Sequence, residues 1–292
     1  MKKKIFIAAA VCFSGQVFAQ DSTKSKQLDE VVVTATKTEL KQSQTGKVVS
    51  VIDQATLQRN AGKTVTEILN YQSGIFINGA SNNLGTNQDV YFRGAAGGNV
   101  LILLDGVPVG DASQINNSFD LNNINTAQVE RIEILKGAQS TLWGSDAVAG
   151  VINIITKKNS SKKSSPAASL AFGSYGTLRL NAGVSGKANK FMYTANYGHT
   201  KSNGFSNAYD STGTKNFDKD GYKQNNLLAG VGYQFTNKFS AKYTANYSKY
   251  NADIDAGAFK DDINYNLESS NFTNSLNLNY KTKKLTLHLI QT

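Results

Sequence analysis

Two hydrophobic periodicities divide this chain. From Ser169 almost to the end, apolar and polar residues alternate. Leu170 and Phe172 begin the series, and Leu178, Leu180, Ala182 and Val184 continue it. Phe191, Tyr193, Ala195 and Tyr197 follow, then Leu227, Ala229, Val231, Tyr233 and Phe235. Phe239, Ala241, Tyr243, Ala245 and Tyr247 come next, then Phe272, Leu276, Leu278 and Tyr280, and finally Leu285, Leu287 and Leu289. Successive side chains of a strand point to opposite faces, so this pattern predicts seven strands, each with one apolar and one polar face. Connections near 186–189, 236–238 and 281–284 are short, whereas 201–222 and 251–268 are long and polar. Short turns on one side and long loops on the other suit a membrane-spanning β-barrel better than a soluble β-sandwich. Phe191, Phe235, Phe239 and Tyr280, beside the short turns, predict an aromatic girdle at one interface.

Residues 47–155 carry a different pattern. Thr64-Val65-Thr66-Glu67 reads as a capping box, in which the Thr side chain accepts from the third helical N–H and the Glu reaches back. Val65, Ile68 and Leu69 give that helix an apolar face, and Gly74 is expected to end it. Ile75–Ile77, Val90–Phe92, Ile132–Leu135 and Val151–Ile155 read as short strands. Val100–Leu104 and Val107–Val109 read as a hairpin, because Asp105-Gly106 suits a type I′ turn. Between Val129 and Lys158 the order is strand, glycine turn, short helix, strand, with Gly137, Gly144 and Gly150 expected in tight turns. This is an α/β domain of roughly 120 residues, large enough to bury its own core.

The N-terminus reads as an export signal: Lys2, Lys3 and Lys4, then the apolar run Ile5–Phe13, then Val17-Phe18-Ala19 before a cleavage point. Cys12 lies within it, so the processed chain has neither a disulfide framework nor a thiolate metal site. Losing those three lysines lowers the net charge from +10 to +7. The only dense basic cluster, Lys157, Lys158, Lys162 and Lys163, falls in a linker. With no basic aromatic platform, nucleic acid is not an expected partner. No P-loop or nucleophile elbow appears, and His199 and His288 stand in strand patterns, so no enzymatic activity and no organic cofactor are expected. The domain reading is a signal peptide at 1–19, a periplasmic arm at 20–40, an α/β domain at 41–158, a linker at 159–166 and barrel strands at 167–292.

The two halves fit one another in size. A domain of about 120 residues has a diameter near ~35 Å. A barrel around it, with strands ~4.8 Å apart and tilted ~40°, needs about 20 strands. The chain supplies about seven and its alternation continues to its end, so it reads as the N-terminal part of a longer protein with an incomplete barrel.

The stretch Val129–Lys158, with its "ILKG", "LWGS" and "GVINIITKK", is similar to the plug motif of TonB-dependent outer-membrane receptors. Val90–Gly94 ("VYFRG") and Asn99–Val109 ("NVLILLDGVPV") also resemble plug segments of that family. Leu28-Asp29-Glu30-Val31-Val32-Val33-Thr34-Ala35 resembles its TonB box. The resemblance implies a plug inside a barrel of about 22 strands. It also implies TonB as periplasmic partner, outer-membrane lipid around the wall, and a scarce bulky nutrient as ligand. The short arm, the spelling of the box and the Asp spacing in the first two long loops lean toward the cobalamin receptors, with a siderophore or iron-complex receptor, or a passive plugged porin or adhesin, as alternatives. Asp21–Gln27 is polar and without a core-forming pattern, so it is expected to be a flexible arm. The valines beyond it favour extended backbone, suited to adding a strand to a partner's sheet edge.

The long loops are rich in Asp: Asp210, Asp218 and Asp220 in one, Asp253, Asp255, Asp261 and Asp262 in the other. Crowded hard oxygens suit Ca²⁺. Asn216–Gly221 resembles the start of an EF-hand loop, but Leu227 stands where the closing Glu belongs. The resemblance to cobalamin receptors implies Asp218, Asp220, Asp255 and Asp262 as ligands, with Asp210 beside them.

Overall fold

The computed structural model describes residues 31–291 apart from 33, 37–39, 112–113, 158–161, 215 and 282–285. The expected signal peptide, Leu28, Asp29, Glu30 and Val33 lie outside the described residues. The α/β unit contains β1 (Val31–Val32), β2 (Leu40–Lys41), β3 (Val49–Ile52), α1 (Gln54–Arg59), α2 (Val65–Asn70), β4 (Ile75–Asn78), β5 (Asp89–Phe92), β6 (Val100–Leu104), β7 (Val107–Pro108), β8 (Val129–Lys136), α3 (Ser140–Trp143) and β9 (Gly150–Thr156). The wall contains β10 (Ser165–Gly173), β11 (Thr177–Ala188), β12 (Phe191–Ser202), β13 (Tyr222–Gln234), β14 (Phe239–Asp253), β15 (Asn266–Lys281) and β16 (Thr286–Gln291).

The α/β unit is built on one mixed sheet of order β3-β8-β9-β6-β7, in which β6 and β9 are parallel and every other pair is antiparallel. Its strands are apolar on both faces, and each face has its own cover. Ile102, Ile132, Ile134, Ile152 and Ile154 point to one side, against Leu57 of α1, Ile68 and Leu69 of α2, and the β4–β5 hairpin. Leu101, Leu103, Leu135 and Val151 point to the other side, against Val32, Ala35 and Trp143. So residues of the expected arm form part of the core, and the packed unit begins N-terminal to residue 41.

Local signals explain the elements. At α2, Thr64 Oγ1 accepts from the Glu67 N–H at 3.1 Å and Glu67 Oε2 accepts from the Thr64 N–H at 2.6 Å. At α1, the Asp53 carboxylate caps Thr56 N–H at 2.8 Å, and this bonding holds its pKa below the usual range. Asp105 (φ 53°) and Gly106 (φ 83°) both sit at positive φ, as a type I′ turn requires. Two expectations are corrected. Helix α2 stops at Asn70, and Gly74 (φ 87°) instead turns the chain into β4. Gly137 (φ 97°) and Gly144 (φ 96°) do serve turns, but Gly150 has no positive φ. Its hydrogen is required by packing: a Cβ there would strike the Phe92 ring and lie 2.6 Å from the Leu135 carbonyl oxygen.

The seven wall strands pair in chain order, all antiparallel, as an open sheet. Their apolar face points outward and is exposed at Leu227, Val231, Tyr233, Tyr243, Tyr247, Phe272 and Leu276. Their polar face points at the α/β unit and is buried at Thr194, Thr200, Gln224, Asn226, Thr244, Asn246 and Ser248. A soluble sheet has the opposite arrangement, whereas a strand wall between lipid and a polar interior has this one. Among the described residues, no helix is long and apolar enough to cross a membrane.

The polar face finds its partners on the α/β unit. Gln224 and Asn226 donate to the carbonyls of Asn122 (2.6 Å) and Asn123 (3.2 Å). The Tyr250 hydroxyl donates to Asp120 at 2.5 Å, and Asn125 donates to Asn181 at 2.9 Å. Burial raises the Asp120 pKa, opposed by the bond from Tyr250. If the exposed apolar face meets lipid, Ala229→Arg, halfway along β13, should cost about 2–4 kcal/mol of stability. Denaturant unfolding in phospholipid vesicles measures it. An unchanged midpoint would mean that this face meets water.

Candidate functional site

The face of the central sheet that carries Leu135 and Val151 has a polar centre. Glu133 of β8 and Asn153 of β9 stand directly opposite one another in register. Both are buried, and the Glu133 side chain has no solvent exposure. Thr34 closes over them. Its N–H donates to Glu133 Oε2 at 2.8 Å and its hydroxyl to the same oxygen at 2.6 Å. Asn153 Nδ2 donates to Thr34 Oγ1 at 3.0 Å, and the Trp143 indole N–H donates to the Thr34 carbonyl at 3.0 Å. Arg131 joins the other carboxylate oxygen, with its Nη2 2.9 Å and its Nε 3.0 Å from Oε1. A buried carboxylate needs such donors, because an unpaired one costs several kcal/mol.

Of the eight residues expected to act as a handle, four are described. Val31 and Val32 pair with Lys41 and Leu40. Val32, Thr34 and Ala35 are buried. Both main-chain groups of Thr34 are committed to the α/β unit, as is its hydroxyl. In this position the segment has no free backbone at Thr34 with which to join another sheet.

A second cluster lies where the two long loops meet. The Tyr209 N–H donates to the Ala258 carbonyl at 2.7 Å, and the rings of Tyr209 and Phe259 stand 6.4 Å apart, edge to face. Asp218, Asp255 and Asp261 each offer a carboxylate oxygen within 4.8 Å of the others. Asp218 Oδ1 and Asp261 Oδ1 are buried and accept no hydrogen bond. Asp255 Oδ2 ties the loops together by accepting from Ala208 N–H at 2.5 Å, and its Oδ1 accepts from Asp262 N–H of its own loop at 3.2 Å. Burial raises the Asp255 pKa, but those bonds outweigh it and hold it below the usual range. Asp220 is buried beside them and accepts from Asn207 N–H at 2.6 Å. Desolvation, with the charges of Asp255 and Asp218, raises it to about 6. Asp261 is likewise raised to about 6, by desolvation and by Asp218 beside it.

Of the expected ligand set, Asp218 and Asp255 belong to this group of three, whereas Asp210, Asp220 and Asp262 lie outside it. The Asp262 carboxylate turns to Asn264 N–H, leaving its own backbone N–H for Asp255. The Asp210 carboxylate is engaged locally with the N–H and hydroxyl of Thr212. Asp261 takes the third place. An Asp-Asp pair in a loop gives no sequence signal as to which member faces inward.

Residues 41–151 match the family model for the TonB-dependent receptor plug domain. The vitamin B12 transporter BtuB of Vibrio cholerae is 28% identical over 299 residues, covering 97% of this chain and 48% of the relative. BtuB of Photobacterium profundum is 29% identical over 257 residues, covering 87% and 41%. The chain thus spans about half the length of these curated relatives. Among solved structures, the ferripyoverdine receptor of the Pseudomonas aeruginosa outer membrane superposes with a TM-score of 0.66 at 18% identity, over 86% of this chain and 34% of that one. The siderophore receptor PirA of the same species gives 0.61 at 22%, over 83% and 39%. Those two likenesses carry the fold alone: an α/β domain followed by antiparallel strands of a partial barrel. Family match, relatives and fold point the same way: residues 41–151 match the plug domain of TonB-dependent receptors, and the chain as a whole is similar to outer-membrane receptors, with a plug-like α/β domain followed by part of a barrel wall.

Proposed function

We propose that this chain serves TonB-driven import of a scarce, bulky nutrient across the outer membrane, with cobalamin or another corrinoid as the cargo. The observation that carries the coupling is the docking of Thr34. Its partners Glu133 and Asn153 lie on β8 and β9, at the centre of the plug sheet. A pull on the chain before Val31 reaches those strands through the hydrogen bonds of a single residue. Strand addition by a partner requires free main-chain groups. The docked segment is therefore the resting state, and engagement by TonB requires Thr34 to leave Glu133. A siderophore cargo is the second reading, supported by fold likeness alone, whereas the relatives that support cobalamin align along nearly the whole chain.

The loop cluster supports a Ca²⁺ site of Asp218, Asp255 and Asp261, with Asp220 adjacent. The donors are all hard carboxylate oxygens, two of them lack any hydrogen-bond partner, and desolvation, with the neighbouring Asp groups, raises the pKa of Asp220 and Asp261. A bound divalent cation would supply the missing positive charge and brace the two loops.

Three measurements test these assignments. Val32→Pro removes a ladder donor and fixes φ, so uptake of labelled cobalamin should be abolished while binding at the cell surface stays normal. Normal uptake would remove the segment as the handle, and loss of surface binding as well would make it a structural edge strand. Thr34→Val strips Glu133 of one donor and should lower unfolding free energy by about 1–3 kcal/mol, whereas Thr34→Ser should not. Calorimetry with Ca²⁺ should give binding heat that Asp218→Asn/Asp261→Asn eliminates, and no heat in the unaltered receptor would remove the metal site.

A further inference from the structure

The outward face of the wall changes character at its outer end. Through most of their length β12, β13 and β14 present aromatic and aliphatic side chains outward. Near the loops they present Lys201, Lys223 and Lys249. Phe191, Tyr233 and Phe239 mark the opposite rim, and each lies ten residues along its strand from the corresponding lysine. Ten residues at ~3.4 Å, tilted ~40°, rise about 26 Å. The apolar band of an outer-membrane wall is about 25 Å tall. The three lysines therefore stand at the level of the outer headgroups while the aromatics stand at the inner interface.

Their register is informative. Lys201 and Lys223 are directly opposite one another on adjacent antiparallel strands, and both are exposed. Cβ atoms so paired lie ~4.5–5.5 Å apart, and like charges there destabilise a sheet. Lys249 pairs with Asn225 one row nearer the belt, and it is bridged to Glu268. Asp253 stands one row beyond Lys223 and forms no ion pair with it among the described residues. Lys201 and Lys223 likewise have no carboxylate partner there. Beneath them Asn225 Oδ1 accepts from the Tyr197 hydroxyl at 2.7 Å and lies 2.9 Å from His199 Nδ1, which makes a hydrogen-bonded floor.

We propose that Lys201 and Lys223, with Lys249 beside them, form a binding site on the outward face of the wall for the anionic phosphate headgroup of an outer-leaflet lipid. Two facing ammonium groups can share one phosphate oxygen set, which turns the repulsion between them into attraction. The acyl chains would then lie along Tyr197, Leu227 and Tyr247, the exposed apolar row below. The site rests on the wall being embedded in lipid and is independent of the cargo.

The protein extracted from its own outer membrane in mild detergent provides the test, with retained phosphate-bearing lipid counted by native mass spectrometry. Exchange into phosphatidylcholine or phosphatidylglycerol nanodiscs gives relative affinity. The unaltered protein should retain the anionic lipid, and Lys201→Gln/Lys223→Gln should weaken that retention at least about tenfold. Lys201→Arg/Lys223→Arg should keep it, which separates loss of charge from a failure to fold. Lys190→Gln/Lys238→Gln, at the opposite rim, should also keep it. Equal retention in the Gln variant, or equal loss in the opposite-rim variant, would overturn the site. Displacement of the lipid by inorganic phosphate at equal concentration would overturn the lipid assignment. A wall not embedded in lipid would show itself separately, as a protein that retains no lipid of any charge.

Discussion

A carboxylate sealed from water in the middle of an apolar sheet face constrains much of this plug. The buried side chain of Glu133 is accommodated there because donors surround its two oxygens. Among these donors are Arg131, two residues along the same strand, and Thr34, ninety-nine residues away in sequence. Asn153 and Trp143 then hold Thr34 from two further sides. The N-terminal segment is thereby fastened to the two central strands, and its buried neighbours Val32 and Ala35 seal the same face. Removing the segment uncovers the Glu133 carboxyl group, the Asn153 amide and an apolar sheet face together, so its docking is coupled to the integrity of the sheet.

The wall obeys a complementary constraint. Lipid cannot hydrogen-bond, so the outward face must be apolar and each strand must satisfy its backbone through its neighbours. Polar side chains are consigned to the inner face, where they need partners of their own. The loops of the plug between Asp120 and Asn125 supply carbonyls, a carboxylate and an amide to Gln224, Asn226, Tyr250 and Asn181. Plug and wall are joined chiefly by hydrogen bonds between side chains and loop backbone. A small apolar contact, Leu84 against Tyr222 and Tyr250, adds to the join near the loops.

Much of this was legible in the sequence because the responsible signals are local. Period-two alternation located all seven wall strands, the Thr64–Glu67 box located α2, and Asp105-Gly106 located its hairpin. What escaped depends on contacts distant in sequence. Val49–Ile52 is an edge strand defined by pairing with β8, and nothing nearby marks it. Gly150 resembles a turn glycine, yet the Phe92 ring dictates it from fifty-eight positions away. The acidic loops announced a cluster, but the choice of Asp261 over Asp262 depends on which backbone N–H reaches Asp255. Thr34 is part of a segment that reads as extended and exposed, and only the opposed pair Glu133 and Asn153 reveals why a hydroxyl belongs there.

Amide hydrogen exchange of the segment around Thr34, followed by mass spectrometry in the unliganded protein, tests the docking most directly. Peptides covering residues 31–36 should exchange as slowly as those of β8 and β9, because the Thr34 N–H is held by a buried carboxylate. Exchange of that segment at the rate of a free chain, while β8 and β9 stay protected, would contradict the account.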